Sequence, residues 1–148
     1  MLENKRIIIT GAGSGIGRAT SKLAAGYGAQ VVCVDLTDGV EQTVAEITQA
    51  GGTAVAVQAD VSDETSVIHF VEKCVSEYGG IDGIYANAGV SGGGKSVTEL
   101  TVEDWQRTLG VNTIGVFLAV KHTVPHFVKQ GSGAIVCTAS VAALRANA

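Results

Sequence analysis

Five short apolar runs punctuate the chain: Arg6–Thr10, Gln30–Asp35, Thr53–Gln58, Ile81–Asn87 and Ala134–Thr138. Each is rich in Val, Ile and Ala and nearly continuous rather than alternating, which is how strands covered on both faces read. Between the runs, apolar residues return at helical spacing. Ile16, Ala19, Thr20, Leu23, Ala24 and Tyr27 place a first helix directly after Gly15. A second is expected from Val40 to Ala50, opening on a capping-box pattern of Asp38 with Glu41 and stopping at Gly51-Gly52. A third spans Glu64 to Tyr78, after Ser62 and before Gly79-Gly80. The fourth begins near Thr101, paired with Asp104 in a second capping-box pattern. It carries Trp105, Leu109, Ile114, Phe117 and Leu118 inward and runs to Gln130 with a kink at Pro125. The resulting order, βαβαβαβαβ, demands right-handed crossovers and an α/β fold: a doubly wound parallel sheet with helices on both faces.

Composition agrees with one packed domain over residues 1–148, with no internal repeat and no boundary. At 46% apolar and 16% charged residues the chain is not disordered. Gly at 20 against a single Pro suits tight strand-to-helix turns rather than a linker. The net charge of -4 provides no basic stripe for nucleic acid. No apolar run approaches the ~18 residues of a membrane span. The start, "MLENKRIII", has no apolar segment ahead of its charges, so a cytoplasmic protein is expected. Cys33, Cys74 and Cys137 are odd in number and dispersed, and read as reduced, buried small hydrophobes. The stretch Ser91–Ser96, "SGGGKS", reads as a flexible loop.

The strongest local signal is "IIITGAGSGIG", where Gly11, Gly15 and Gly17 lie between a strand and the first turn of a helix. A tight turn there, with backbone close to a pyrophosphate and helix N–H groups aimed at it, makes a dinucleotide site. Asp35 ends the next strand, 18 residues after Gly17. A carboxylate at that place accepts hydrogen bonds from both ribose hydroxyls of an adenosine and repels a 2′-phosphate. No Arg or Lys stands beside it, and Ser14 and Leu36 are neutral, so NAD is favoured over NADP. The competing reading of Asp35 is a turn carboxylate.

With these residues in place, the chain resembles the short-chain dehydrogenase/reductase family. The spacing Thr10-Gly11-x-x-x-Gly15-x-Gly17 is similar to that family's glycine loop, including Ile16 within it. "ADV" (Ala59, Asp60, Val61) looks like its adenine-contacting acid. "ANAG" (Ala86, Asn87, Ala88, Gly89) resembles its Asn-Asn-Ala-Gly signature, with Ala86 replacing the first Asn. Asn112, in "GVNTIGVF", falls where the family keeps a catalytic-site asparagine, and Ser140 where it places a substrate-orienting serine. The resemblance implies a Rossmann fold with about five strands in order 3-2-1-4-5, incomplete relative to the family. It also implies NAD as cofactor and hydride transfer between the nicotinamide and a secondary alcohol or ketone. In the family a tyrosine serves as the acid–base group and a lysine lowers its pKa, while the serine bonds the substrate oxygen and the asparagine positions a water. Homo-oligomers are the rule.

The family's Tyr-x-x-x-Lys is absent from these residues. Tyr27, Tyr78 and Tyr85 are followed at the fourth position by Val31, Asp82 and Gly89. The chain is also roughly 100 residues short of a complete domain of this kind. A truncated Rossmann domain is therefore expected, binding NAD weakly through its adenosine half, without turnover, and with its fifth strand as an exposed edge.

Three other readings compete. "GVSGGGKS" (Gly89 to Ser96) matches the phosphate-loop pattern letter for letter, with Lys95 and Ser96 in the nucleotide-triphosphatase roles. No helix starts at that loop, however, and no apolar run ending in Asp follows it. A non-catalytic NAD-binding module fits the glycine loop and Asp35 equally well, but has no need of Asn112 and Ser140. His122 and His126 share a helix face, yet Pro125 lies between them and no ligand set is complete, so no metal is expected.

Overall fold

The computed structural model describes residues 1–144. Its elements are β1 (Arg6–Thr10), α1 (Gly15–Gly26), β2 (Gln30–Asp35), α2 (Gly39–Gln49), β3 (Thr53–Gln58), α3 (Glu64–Tyr78) and β4 (Gly83–Ala86), followed by α4 (Val102–Leu109), α5 (Gly115–Gln130) and β5 (Ala134–Cys137). All strand pairs are parallel and the sheet order is β3-β2-β1-β4-β5, the doubly wound arrangement expected.

The runs of β1, β2 and β4 read as continuous because successive residues face opposite sides that are both covered. Ile8, Val32, Val34 and Ile84 join Phe70, Val67, Cys74 and Leu118 of α3 and α5 on one face. Ile9, Val31 and Cys33 meet Ala24 and Ala25 of α1 with Val40 and Ile47 of α2 on the other. Register is pinned along β1, where Ile8 stands opposite both Val32 and Ile84. Burying a core Ile or Val here contributes roughly 1.5–3 kcal/mol.

Four details differ from the sequence reading. Asp38 adopts helical angles (φ -65°, ψ -10°) and makes no side-chain cap to α2. The second capping box does form: Thr101 accepts from Asp104 N–H and the Asp104 carboxylate accepts from Thr101 N–H. The stretch from Val102 to Gln130 is not one uniform helix, because a π turn, Gly110–Ile114, joins α4 to α5; α5 itself continues through Pro125. The apolar residues expected inward divide: Leu118 is 5% exposed, but Trp105, Leu109, Ile114 and Phe117 are 47–59% exposed. Helical spacing reveals an apolar face without revealing what lies opposite, and the extra residue of the π turn shifts the phase of any count made across it. Finally, Cys137 is exposed, since β5 is an edge strand that nothing among the described residues covers.

Candidate functional site

A cleft of ≈ 450 Å³ opens beyond the carboxyl ends of the strands. It sits where the chain order reverses, between β1 and β4, which is where doubly wound sheets take their ligands. Its wall is made by Gly11, Ser14, Gly15 and Ile16 after β1, Asp35 and Leu36 after β2, Asp60 and Val61 after β3, and Asn87, Ala88 and Gly89 after β4. Every residue read from the sequence as cofactor-binding therefore meets in one cavity, except Gly17. Thr37, Ala59, Val90, Val111 and Thr138 complete the wall, which contains no Lys or Arg.

Gly17 is behind the wall for a steric reason. A Cβ on it would fall on the Gly11 carbonyl, so only glycine lets α1 start this close to β1. Gly11 has φ +69°, and a Cβ there would approach Asn87 Nδ2 at 2.9 Å and Ala88 Cα at 3.0 Å. The result is a loop of bare backbone leading into α1. No acidic residue in the first turn of α1 offsets the positive end of the helix.

Asp35 is held from two sides. Its Oδ2 accepts Gly13 N–H at 2.8 Å, and its Oδ1 accepts both Thr37 N–H at 2.9 Å and Thr37 Oγ1–H at 2.8 Å. The turn role and the cleft-facing role thus coexist in one carboxylate. Asp60 likewise accepts from Ser62 N–H and Oγ–H, at 2.8 and 2.7 Å, shaping the turn into α3 while lining the cleft. Gly13 has no room for a side chain: a Cβ would lie 2.8 Å from Asp35 Cγ.

Asn87 ties three strands together. Its backbone N–H and that of Ala88 both donate to Thr10 Oγ1 at 3.0 Å, and its Nδ2 donates to Thr10 O at 3.1 Å. Its Oδ1 accepts Thr138 Oγ1–H at 2.9 Å, and the Thr138 hydroxyl also lies 2.9 Å from Tyr85 OH. Thr10 heads the glycine-loop spacing, whereas Thr138 serves the site without any motif having marked it.

The two residues read as catalytic lie outside the cleft wall. Asn112 sits in the π turn and clamps one residue from both sides, accepting Val90 N–H at 2.8 Å and donating to Val90 O at 2.9 Å. It fastens the segment after β4 to the helix. Ser140 follows β5, is exposed, and accepts Ala142 N–H at 3.2 Å as the cap of a short helical turn, Val141–Ala143. The phosphate-loop match does not assemble: Lys95 Nζ is bonded to Asp104 at 2.6 Å, and the Ser96 hydroxyl to Glu99. His122 does have a carboxylate neighbour, Glu64 at 2.8 Å, but Glu64 also accepts from Lys121. No cluster of three potential metal ligands exists among the described residues. Nor is any helix among them long and apolar enough to cross a membrane.

Comparison with known proteins places this site in a family. The family described as short chain dehydrogenase matches residues 5–148. The chain is 40% identical over 143 residues to the cyclohexanol dehydrogenase of Acinetobacter sp. (strain SE19), covering 96% of this chain and 57% of that protein. It is 39% identical over 134 residues to the cis-4-hydroxycyclohexanecarboxylate dehydrogenase of Sinomonas cyclohexanicum, covering 90% and 54%. Among solved structures, a 7α-hydroxysteroid dehydrogenase complexed with NADH and 7-oxo glycochenodeoxycholic acid superimposes with TM-score 0.93 at 34% identity, over 99% of this chain and 57% of that one. The chain thus spans little more than half the length of the relatives it matches. With the glycine loop, the switch-point cleft and the sheet order all agreeing, the chain belongs to the short-chain dehydrogenase family.

Proposed function

We propose that these residues form the adenosine and pyrophosphate half of a nicotinamide dinucleotide site, selective for NAD, in an oxidoreductase acting on a secondary alcohol or its ketone. The observation that carries the reading is the cleft itself. Bare loop backbone and the start of α1 suit a pyrophosphate, and Asp35 stands where an adenosine ribose would lie. A 2′-phosphate would meet the Asp35 carboxylate, with no cation in the wall to offset its charge. Gly11, Ser14, Gly15 and Ile16 would hold the pyrophosphate, Asp35 and Leu36 the ribose and adenine edge, and Asp60 and Val61 the adenine. Asn87, Ala88 and Gly89 would lie toward the nicotinamide side. When bound, the nicotinamide supplies the hydride chemistry.

The substrate class is supported by the relatives, two of which are named for the ring alcohols cyclohexanol and cis-4-hydroxycyclohexanecarboxylate. In the whole protein Ser140 would hold the substrate oxygen. Asn112, which keeps one N–H and one oxygen lone pair after bonding Val90, would help to order a water there. The 148 residues contain no Tyr-x-x-x-Lys, so binding without turnover is the expected behaviour of this polypeptide. Assembly of the whole protein as a homo-oligomer is supported by the exposed apolar face of α4 and α5.

Titration calorimetry with NAD and NADP tests the cofactor reading. NAD should bind at least about tenfold more tightly than NADP. Asp35→Ala should weaken NAD by about tenfold or more, the loss of charge-assisted hydrogen bonds. Equal or tighter NADP binding overturns the selectivity, and absence of binding by either overturns the site.

A further inference from the structure

The carboxylate at the centre of that site is set in place by a hydrogen-bond chain that begins on α2. Thr43, in the second turn of α2, is fully buried. A threonine at such a helical position ordinarily bonds the carbonyl four residues back, and Gly39 O does lie within 3.2 Å. The Thr43 hydroxyl finds a closer acceptor outside its own helix, Ala12 O at 2.8 Å, in the glycine loop. Arg18 Nε donates into the same Thr43 oxygen at 3.1 Å, which favours its giving the proton away. Arg18 Nη2 also donates to Gly13 O at 2.7 Å. Two consecutive carbonyls of the loop are therefore held in place, Ala12 O by Thr43 of α2 and Gly13 O by Arg18 of α1.

Peptide planarity carries this anchoring to Asp35. The Ala12 carbonyl and the Gly13 N–H belong to one trans peptide plane and point in opposite directions. Turning the carbonyl into Thr43 aims the N–H at Asp35 Oδ2, which it meets at 2.8 Å. With Thr37 holding Oδ1, the orientation of the carboxylate is determined on both oxygens.

We infer that Thr43 is a positioning residue for the adenosine-ribose acid, its hydroxyl holding the Ala12–Gly13 peptide so that Gly13 N–H fixes Asp35. The inference rests on the cofactor reading proposed above. It differs from that reading because it assigns selectivity to a buried residue that touches no ligand.

The test is a double-mutant cycle on NAD binding by the chain, using Thr43→Val, Asp35→Ala and the pair, with Thr43→Ser as the rescue variant. Thr43→Val keeps the buried volume and removes the hydroxyl. It should weaken NAD about fivefold and narrow the NAD/NADP preference, Thr43→Ser should restore both to within twofold of the parent, and in the Asp35→Ala background Thr43→Val should have no further effect. Should Thr43→Val fail to fold by circular dichroism, Thr43→Cys replaces it with the same expected order. The inference is overturned if the parent binds NAD and the Thr43 variant matches it within twofold. It is equally overturned if that variant loses the same factor with or without Asp35, since that is mere loosening of the loop. A parent that binds no NAD overturns the cofactor reading, and this inference falls with it.

Discussion

Asp35 receives three hydrogen bonds before any ligand arrives, one from the glycine loop and two from Thr37. Ordering the carboxylate in advance lowers what binding must spend on fixing it. Side-chain environment separates the cysteines just as sharply. Burial pushes Cys33 up to about 11 and Cys74 up to about 12, whereas Cys137 is exposed on the edge strand. The thiolate is the reactive form, so an aromatic disulfide reagent at pH 8 should titrate one thiol quickly in the native chain and three after denaturation. Cys137→Ser should abolish the fast phase, and fast labelling of Cys33 or Cys74 would contradict the buried assignment. Cys33 and Cys137 both read as buried because each sits in an apolar run, which reports strand character. Whether a further layer covers the strand is a tertiary fact with no signature in the run. The same limit hid Gly13, Thr37, Thr43 and Thr138: each acts through a hydrogen bond to a distant or local backbone group, with no characteristic spacing. The glycine loop and Asp35 were legible because sterics and charge demand those residue types at those intervals.

At the scale of elements, the strands and the first three helices were legible because each is covered on a face whose period shows in the sequence. The segment from Val102 to Gln130 was misjudged because a π turn interrupts it. That turn carries Asn112, whose side chain bonds both the N–H and the carbonyl of Val90. Asn112→Ala should therefore act on the loop after β4 first. The expected loss is about 1 kcal/mol of stability, the usual net worth of such bonds. Hydrogen exchange at Val90 should rise while the amides of β1 stay protected. Unchanged exchange at Val90 would mean that the clamp is idle in solution. Pi turns gather at functional sites, and here the turn brings the α4–α5 junction to the rim of the cleft through Val111.

At the scale of the whole molecule, the end of the sheet opposite the cleft is closed by charge. Asp82 accepts Arg6 Nε at 2.6 Å, Arg6 Nη2 at 3.0 Å and Arg6 N–H at 2.9 Å, with only 17% of its side chain exposed. The Arg6 hydrogen bond holds the Asp82 carboxyl below the usual carboxylate range. A lowered folded pKa contributes stability that is fully present above the unfolded value, about 4, and is lost as pH falls through the folded one. Melting temperature should thus be flat near neutrality and fall below about pH 4, with a shallower acid limb in Asp82→Asn. The helical flank is left open among the described residues: Val102, Trp105, Leu109, Ile114 and Phe117 are 47–67% exposed along α4, the π turn and the start of α5. Exposed apolar residues of this kind are what association of copies would bury, and Trp105 is the single tryptophan of the chain, which makes that surface report on itself. The chain should self-associate as its concentration rises, sedimenting above the mass of one copy while Trp105 emission shifts to the blue. Phe117→Glu places a charge in the middle of the face and should return the chain to a single copy with red-shifted emission. Val136→Lys, which charges the edge of β5 instead, should leave the association in place and so separate the helix face from strand pairing as its cause. Association that survives Phe117→Glu and disappears with Val136→Lys would assign it to the sheet edge and remove the helix face as an interface.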